Sequence, residues 1–569
     1  MTGNRTGGGL LRILATTDLH GTVLPWDYAA DAPAPGCGLA VMAALARERA
    51  AEADAVLRVD CGDALQGGAY DGPHGAAVIG AMNAARIDAM ALGNHDLDFG
   101  AAAFARAARH ARFPILSANV AAPPARPRCI VERDLGGAPL RIGIVGLTAP
   151  RLADPALGGG PGGPASVAAV AGAVRAARAA GARIVLVLSH AGPGTVPPPP
   201  GAVDVSAALA ALPGVDAVVG GHVHAASASG AYGAPLVVPG AHGTALGEID
   251  LRIARGRVAA SSARLHVPDP DLAPDPAVLA EMRRAHAAAR RRLGRIVGHA
   301  AAGLDARLSA ARPTTALAAI AAARADALER ALTGTDRSGL PVIGLGTARP
   351  PSAAVPNVPP GPVRRRDLEA LCPYHDAQRG VLITGADLRE WLERGASAYA
   401  RVPPGARDAP LHDPDVPAWF LDLPHGGVSW TVDLSVPALF DGAGTRLGGP
   451  GRIGDLRLHG RPVDPAMRLV AATSDFRLLG HGPYAGFFDR LPTVHADPRP
   501  MRRLVADWLG TGRTATPAAF AFAQIEGSSV RMPAPGGPVA GFDPAGPGRV
   551  RMALDLRPAL PSPISAARG

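Results

Sequence analysis

The first half of the chain repeats one pattern: a short apolar run, then an Asp, Asn or His at its end. Arg12 to Thr17 leads to Asp18-Leu19-His20-Gly21, and Val56 to Asp60 leads to Cys61-Gly62-Asp63. Ala89 to Leu92 opens onto Gly93-Asn94-His95-Asp96-Leu97-Asp98. Ile184 to Leu188 ends in Ser189-His190, and Ala217 to Val219 ends in Gly220-Gly221-His222-Val223-His224. Ala-rich stretches at 39–53, 76–85 and 166–180 predict helices between these runs. Further strands are expected over Phe113 to Asn119 and Leu140 to Gly146. Near-continuous apolar strands alternating with helices belong to sheets covered on both faces. Such sheets put their sites at the carboxyl ends of the strands. One histidine at a strand end is an ordinary loop residue, whereas repeated delivery of Asp, Asn and His points to a single convergent site.

The residue types say what that site can do. Asp18 and His20 lie two apart, so on an extended segment their side chains point the same way and can share a ligand. Gly62 permits a tight turn that lets Asp63 face the same point; Asp60 competes for this role but lies inside the strand. Asn94 offers a neutral oxygen, and His95 offers either a nitrogen ligand or a mobile proton. Asp98, three residues on, can hold that imidazole in one tautomer. The donors are oxygen and nitrogen without thiolate, which suits Mn, Zn, Co or Fe. Seven or eight donors exceed one tetrahedral ion but fit two divalent metal ions about 3.5–4 Å apart, the two-metal hydrolytic arrangement.

Composition excludes several alternatives. A chain of 569 residues is too long for one core, so two large domains are expected. No run of about 18 apolar residues predicts a membrane-spanning helix, and no membrane partner is expected. The formal charge of +9 comes from arginine alone, since the chain contains no lysine, and the arginines are spread thinly. That matches a bias towards GC-rich codons, and no basic block is interleaved with aromatics, so no stable nucleic-acid partner is expected. Cys37, Cys61, Cys129 and Cys372 are scattered and indicate neither a disulfide framework nor a zinc knot. Met1 to Leu11 lacks an apolar core of signal-peptide length, so the chain as written reads as cytoplasmic.

In the second half, Pro268 to Pro276 reads as a loop before a basic helix over Ala277 to Leu293, bearing Arg283, Arg284, Arg290, Arg291 and Arg292. A solvated helix bridging two domains is the expected role. Gly380 to Glu393 reads as strand, glycine turn and amphipathic helix, while Gly426 to Asp433 and Leu469 to Arg477 supply further strands. Residues 531–569 are Pro/Gly-rich and read as a peripheral or partly disordered tail.

Asp18-x-His20, Gly62-Asp63, Gly93-Asn94-His95-Asp96-x-Asp98, His190 and Gly221-His222-x-His224 are similar to the metallophosphoesterase motifs in order and spacing. More narrowly, over about residues 10 to 510 the chain resembles the 5′-nucleotidase family, in its bacterial 2′,3′-cyclic-nucleotide 2′-phosphodiesterase/3′-nucleotidase branch. Thr16-Thr17-Asp18-Leu19-His20 followed by Trp26-Asp27-Tyr28 is similar to that branch's opening. The resemblance implies an α+β chain: an N-terminal metallophosphatase β-sandwich flanked by helices (10–266), a linker with a helix (267–297), a C-terminal α/β substrate-recognition domain (298–530) and the tail (531–569). It implies that Asp18, His20, Asp63 and His224 hold one metal. Asp63 would bridge to a second, completed by Asn94, His190 and His222. His95, backed by Asp98, would act on the phosphoryl group or leaving oxygen and not as a ligand. It further implies that Tyr374 and Phe476 sandwich a nucleobase, with Asn94 also at the substrate.

The expected activity is hydrolysis of nucleotides, opening a 2′,3′-cyclic nucleotide to a 3′-nucleotide and then releasing nucleoside and phosphate. A 5′-nucleotidase or nucleotide-sugar hydrolase is the alternative, and a non-catalytic nucleotide binder the more distant one. The family resemblance points to the periplasm, and a monomer is expected. The chain departs from the family at His375-Asp376-Ala377-Gln378, at Ser474-Asp475-Phe476 with Gly480-His481-Gly482, and in the Pro-rich segment Ala348 to Pro362. These changes leave the metal motifs intact and bear on which substrate is recognised.

Overall fold

A computed structural model describes residues 8–70, 75–150, 162–199, 202–349, 356–374, 376–517, 519–533, 543–544 and 549–554. The chain forms two compact units that divide between Leu293 and Gly294.

The first unit carries β1 (Gly9–Thr16), β2 (Ala55–Asp60), β3 (Ala89–Ala91), β4 (Ile115–Leu116), β5 (Arg128–Leu135), β6 (Ala138–Leu147), β7 (Ile184–Ser189), β8 (Ala217–Gly220), β9 (Ala226–Ser229), β10 (Leu236–Pro239), β11 (Leu246–Ala254) and β12 (Arg257–His266). Its helices are α1 (Leu39–Ala50), α2 (Gly75–Ala84), α3 (Ala101–Ala108), α4 (Pro164–Ala179), α5 (Ser206–Ala210) and α6 (Pro276–Leu293). Two six-stranded sheets form, in the orders β12-β11-β1-β2-β3-β4 and β9-β10-β8-β7-β6-β5. Strands β1 to β4 are mutually parallel, as are β6, β7, β8 and β10. Their carboxyl ends therefore lie along one edge of each sheet.

Alternation along the strands explains the near-continuous apolar runs. Leu11, Ile13 and Ala15 of β1 share a core with Ile184, Leu186 and Leu188 of β7, so the two sheets pack as a sandwich. The intervening side chains face helices: Leu14 packs on Val41 and Met42 of α1, and Val185 and Val187 pack on Val170 and Val174 of α4. Both faces are covered, and period-two polarity vanishes.

Two expectations change here. The strand expected over 113–119 shrinks to Ile115–Leu116, because Ser117 and Asn119 turn the chain. The Asn119 side chain accepts from Thr148 N–H at 3.0 Å and donates to Thr148 O at 2.8 Å, taking the place of a backbone pair. The basic helix α6 is also no free strut. Val278, Met282, Ala289 and Leu293 form a buried stripe in the core shared with α1 and α2, and Arg290 pairs with Asp31 at 2.8 Å. The arginines between these apolar positions conceal the stripe in a linear reading, while Arg283, Arg284 and Arg291 remain exposed.

The second unit is built on β13 (Val342–Thr347), β14 (Ala377–Thr384), β15 (Asp422–His425), β16 (Arg468–Ser474) and β17 (Thr493–Pro500), a mixed sheet in the order β15-β13-β16-β14-β17. Helix α7 (Thr315–Leu332) crosses β13 so closely that a Cβ on Gly344 would collide with Ala321 O. Helix α8 (Gly385–Gly395) begins without the expected glycine turn. Thr384 caps it, with Thr384 Oγ1 accepting from Asp387 N–H and Asp387 accepting from Thr384 N–H. Trp391 of α8 is fully buried against Phe487 and Phe488.

Part of the expected tail is structured. Ser529–Pro533 pairs antiparallel with Arg549–Ala553, and Val530 and Met532 enter the core. Residues 1–7, residues 350–355 of the Pro-rich segment, and His375 lie outside the described residues. Among the described residues, no helix is long and apolar enough to cross a membrane.

Candidate metal centre

The loops that follow the parallel strands are zipped to one another by backbone hydrogen bonds. Asp18 N–H donates to Gly62 O and His20 N–H donates to Asp63 O, both at 2.9 Å. His222 N–H donates to the Asp18 carboxylate at 2.9 Å, tying in the loop after β8. Asp18 and His20 do converge, but not by strand alternation. β1 ends at Thr16, and both residues adopt left-handed backbone conformations, with φ of 49° and 45°. Asp63, His222 and His224 do the same, at 55°, 73° and 56°. Such strain persists only where surrounding contacts enforce it, and it concentrates at functional sites. Gly93 and Gly62 allow the closest approach: a Cβ on Gly93 would sit 2.1 Å from Asp63 Oδ1.

Two donor clusters result. Asp18, His20 and His224 form one; Asp63, His190 and His222 form the other. Asn94 Oδ1 lies 3.1 Å from His222 Nδ1, placing the amide beside the second cluster. Asp63 Oδ2 lies 3.0 Å from His190 Nε2 and 4.0 Å from His20 Nε2, so this carboxylate faces both clusters.

The donor atoms show what the site needs. His190 Nδ1–H donates to Cys61 O at 2.7 Å, which turns Nε2 towards Asp63. Both His190 Nε2 and Asp63 Oδ2 are buried without a hydrogen-bond partner. A ring lone pair facing a carboxylate oxygen is stable only with a cation between them, either a proton or a metal. With a proton, burial opposes the charge of His190, but Asp63 and Asp18 outweigh it and push the group up to about 10. Burial alone would raise Asp18 and Asp63, yet the facing histidines, His190 foremost, hold both below the usual carboxylate range. Burial lowers His20 and His222, keeping them neutral as ligation requires. The donor set therefore fits divalent metal.

His95 sits beside the first cluster, its ring centre 5.7 Å from that of His20. Its Nδ1 contacts Asp98 Oδ2 at 2.8 Å, the orienting pair expected from their spacing, and its backbone N–H donates to Asp63 Oδ1 at 2.8 Å. Burial works against its charge, but Asp63 and Asp98 prevail and raise it to about 9.

Several supports were not singled out from the sequence. Asp96, between His95 and Asp98, accepts from the backbone N–H groups of Gly93, Asp63, Ala64 and Leu65 at 2.9–3.1 Å and pins the two loops together. Thr17 Oγ1 donates to Asp18 Oδ2 at 2.7 Å. Asp60, the competitor to Asp63, accepts from Thr16 Oγ1 and Gly62 N–H beneath the loop, and burial raises it to about 7. Gln66 and His242 also border the first cluster; the His242 and His20 ring centres are 5.6 Å apart. Only its place beside Asp98, as one of two carboxylates within 93–98, hinted at Asp96.

In the second unit, Tyr374 and Phe476 are both exposed, at 58% and 45%. Phe476 lies on a single helical turn, Asp475–Leu478, capped by Ser474. The neighbouring Arg477 is buried and pairs with Asp422 at 2.8 Å, which turns Phe476 outward. Asp475 accepts from Phe476 N–H and from Ala377 N–H, three residues after Tyr374, and so joins the two aromatic loops.

Comparison with known proteins is consistent with this geometry. Residues 11–226 match the calcineurin-like phosphoesterase family, and residues 296–489 match the 5′-nucleotidase C-terminal domain. The chain is similar to a 2′,3′-cyclic-nucleotide 2′-phosphodiesterase/3′-nucleotidase of Haemophilus influenzae, 26% identical over 564 residues that cover 88% of this chain and 84% of that protein. It is also similar to the trifunctional nucleotide phosphoesterase protein YfkN of Bacillus subtilis, 24% identical over 91% of this chain but only 39% of that longer protein. Among solved structures, a candidate 5′-nucleotidase of Staphylococcus aureus superposes with a TM-score of 0.68 at 17% identity, covering 90% of this chain and 99% of that one. At that identity the likeness speaks for the fold alone.

Proposed function

We propose, because this chain belongs to the 5′-nucleotidase family of metallophosphoesterases, that it is a two-metal phosphohydrolase opening 2′,3′-cyclic nucleotides and then hydrolysing the 3′-nucleotide. The observation that carries this reading is Asp63, one buried carboxylate facing two donor clusters. Asp18, His20 and His224 would hold one divalent ion, His190, His222 and Asn94 the other, with Asp63 between. When bound, such ions neutralise phosphoryl oxygens and lower the pKa of a water to about 7.

The chain's own residues do the remainder. Neutral His20 and His222 supply lone pairs, and the zipped loops hold the donors rigid, so little reorganisation accompanies reaction. His95, held by Asp98, keeps a proton for the departing ribose oxygen, a role that contributes typically about 10²–10⁴-fold. Tyr374 and Phe476 suit stacking on a base. The activities for which the relatives are named support the cyclic and 3′ specificity.

The test is phosphate release from 2′,3′-cyclic AMP, 3′-AMP and 5′-AMP with added Mn or Co. Turnover of the first two is expected. Turnover of 5′-AMP alone would replace this reading with a 5′-nucleotidase, and binding without turnover of any of the three would make the chain a nucleotide binder.

A further inference from the structure

We infer that Gln66 is a positioning residue that fixes the tautomer and aim of His20; this rests on His20 being a ligand in the proposed function. His20 Nδ1 faces two atoms of Gln66, the side-chain Oε1 at 2.9 Å and the backbone O at 3.2 Å. A backbone carbonyl only accepts, so Nδ1 carries the proton, and the amide atom meeting it must be the oxygen. The lone pair is then on Nε2, which lies 3.0 Å from His224 Nε2 and 3.9 Å from Asp18 Oδ1, inside the first donor cluster. Gln66 is 4% exposed, so water does not compete for the contact.

The backbone is shaped for this contact. Gly67 and Gly68 follow Gln66 with φ of +99° and +64°, and a Cβ on either would lie 3.0 Å from His20 O. A Cβ on Gly21 would lie 2.3 Å from Gly67 O. The loop 66–68 therefore closes over the backbone of His20 through glycines while Gln66 holds its ring. Partners that orient a ligating imidazole typically change metal affinity by about 10–100-fold when removed.

The experiment compares Gln66→Met, which keeps the volume and removes the acceptor, with Gln66→Glu, which keeps an acceptor. In metal-free protein, the imidazole ¹⁵N spectrum reports the His20 tautomer. Gln66→Met leaves Nδ1 only the longer, 3.2 Å contact to the backbone O of residue 66 and should reduce the Nδ1–H form, while Gln66→Glu should preserve it. In a calorimetric Mn(II) titration, Gln66→Met should weaken one ion by about 10–100-fold, with Gln66→Glu restoring it. An unchanged His20 spectrum in Gln66→Met overturns the inference whatever the metal does, and so does a Gln66→Glu variant as impaired as Gln66→Met. If the wild-type protein takes up no divalent ion, the two-metal reading fails, while the metal-free spectra still decide the role of Gln66.

Discussion

The metal-binding loops and the aromatic loops of the second unit are built on opposite principles. In the former the donors are mostly buried, His224 being the exposed one, and neighbouring loops hold them: Asp18 N–H donates to Gly62 O, and its carboxylate accepts from Thr17 Oγ1 and from His222 N–H. The latter leave Tyr374 and Phe476 facing solvent, and the shared carboxylate of Asp475 is what joins them. Chemistry on a phosphoryl group requires donors fixed to fractions of an ångström, whereas stacking on a base tolerates lateral slip. Individual histidines of the two units differ as well. His190 and His95 face carboxylates and are pushed up, whereas His412 and His425 of the second unit have only burial acting strongly on them and fall to about 4.

The largest effect that sharpens this comparison is expected from Asp63→Asn. Losing the carboxylate that faces both clusters removes several kcal/mol of charge stabilisation, so phosphate release should fall by more than about 10³-fold and bound metal should drop. Retention of both ions with near-normal turnover would remove Asp63 from its central place.

His95→Asn comes next, with kcat lower by about 10²–10⁴-fold and metal content unchanged. A variant that loses metal instead would make His95 a ligand. Tyr374→Ala and Phe476→Ala should each cost about 1–3 kcal/mol of nucleotide binding, seen as a raised KM for 3′-AMP with unchanged turnover of a non-nucleotide phosphate diester. Equal loss on both substrates would show that the aromatics support structure rather than recognition.

The smallest effect is on stability. The His425 pKa in the folded state lies below its ordinary 6.5, so the unfolded chain takes up the proton first as pH falls. Its contribution is complete above 6.5 and is lost as pH falls towards 4. Between pH 7 and 5 this removes about 2 kcal/mol, which chemical denaturation of the full chain at the two pH values should show, and His425→Gln should flatten the dependence.

Much of the first unit was legible because its strands are covered on both faces and its donors follow strand ends directly. Asp18, His20, Asp63, Asn94, His190, His222 and His224 stand in the sequence as a repeated pattern, and the structure brings them together. The His95–Asp98 pair was legible from spacing alone. Helix α6 was misjudged because its buried stripe is interrupted by arginines, and the shortened β4 because Asn119 imitates a backbone pair. The strands at 529–533 and 549–553 escaped notice because Pro and Gly dominate the composition around them.

By itself, the sequence determined the covered-sheet architecture and the identity of the donors, since apolar periodicity and residue chemistry are local properties. Only the tertiary structure decided how those donors converge. Left-handed turns at Asp18, His20 and Asp63 are enforced by hydrogen bonds between loops some forty residues apart and more. The supports at Asp96 and Gln66 become visible only there, because an acceptor has no assigned partner until the fold brings the donor to it.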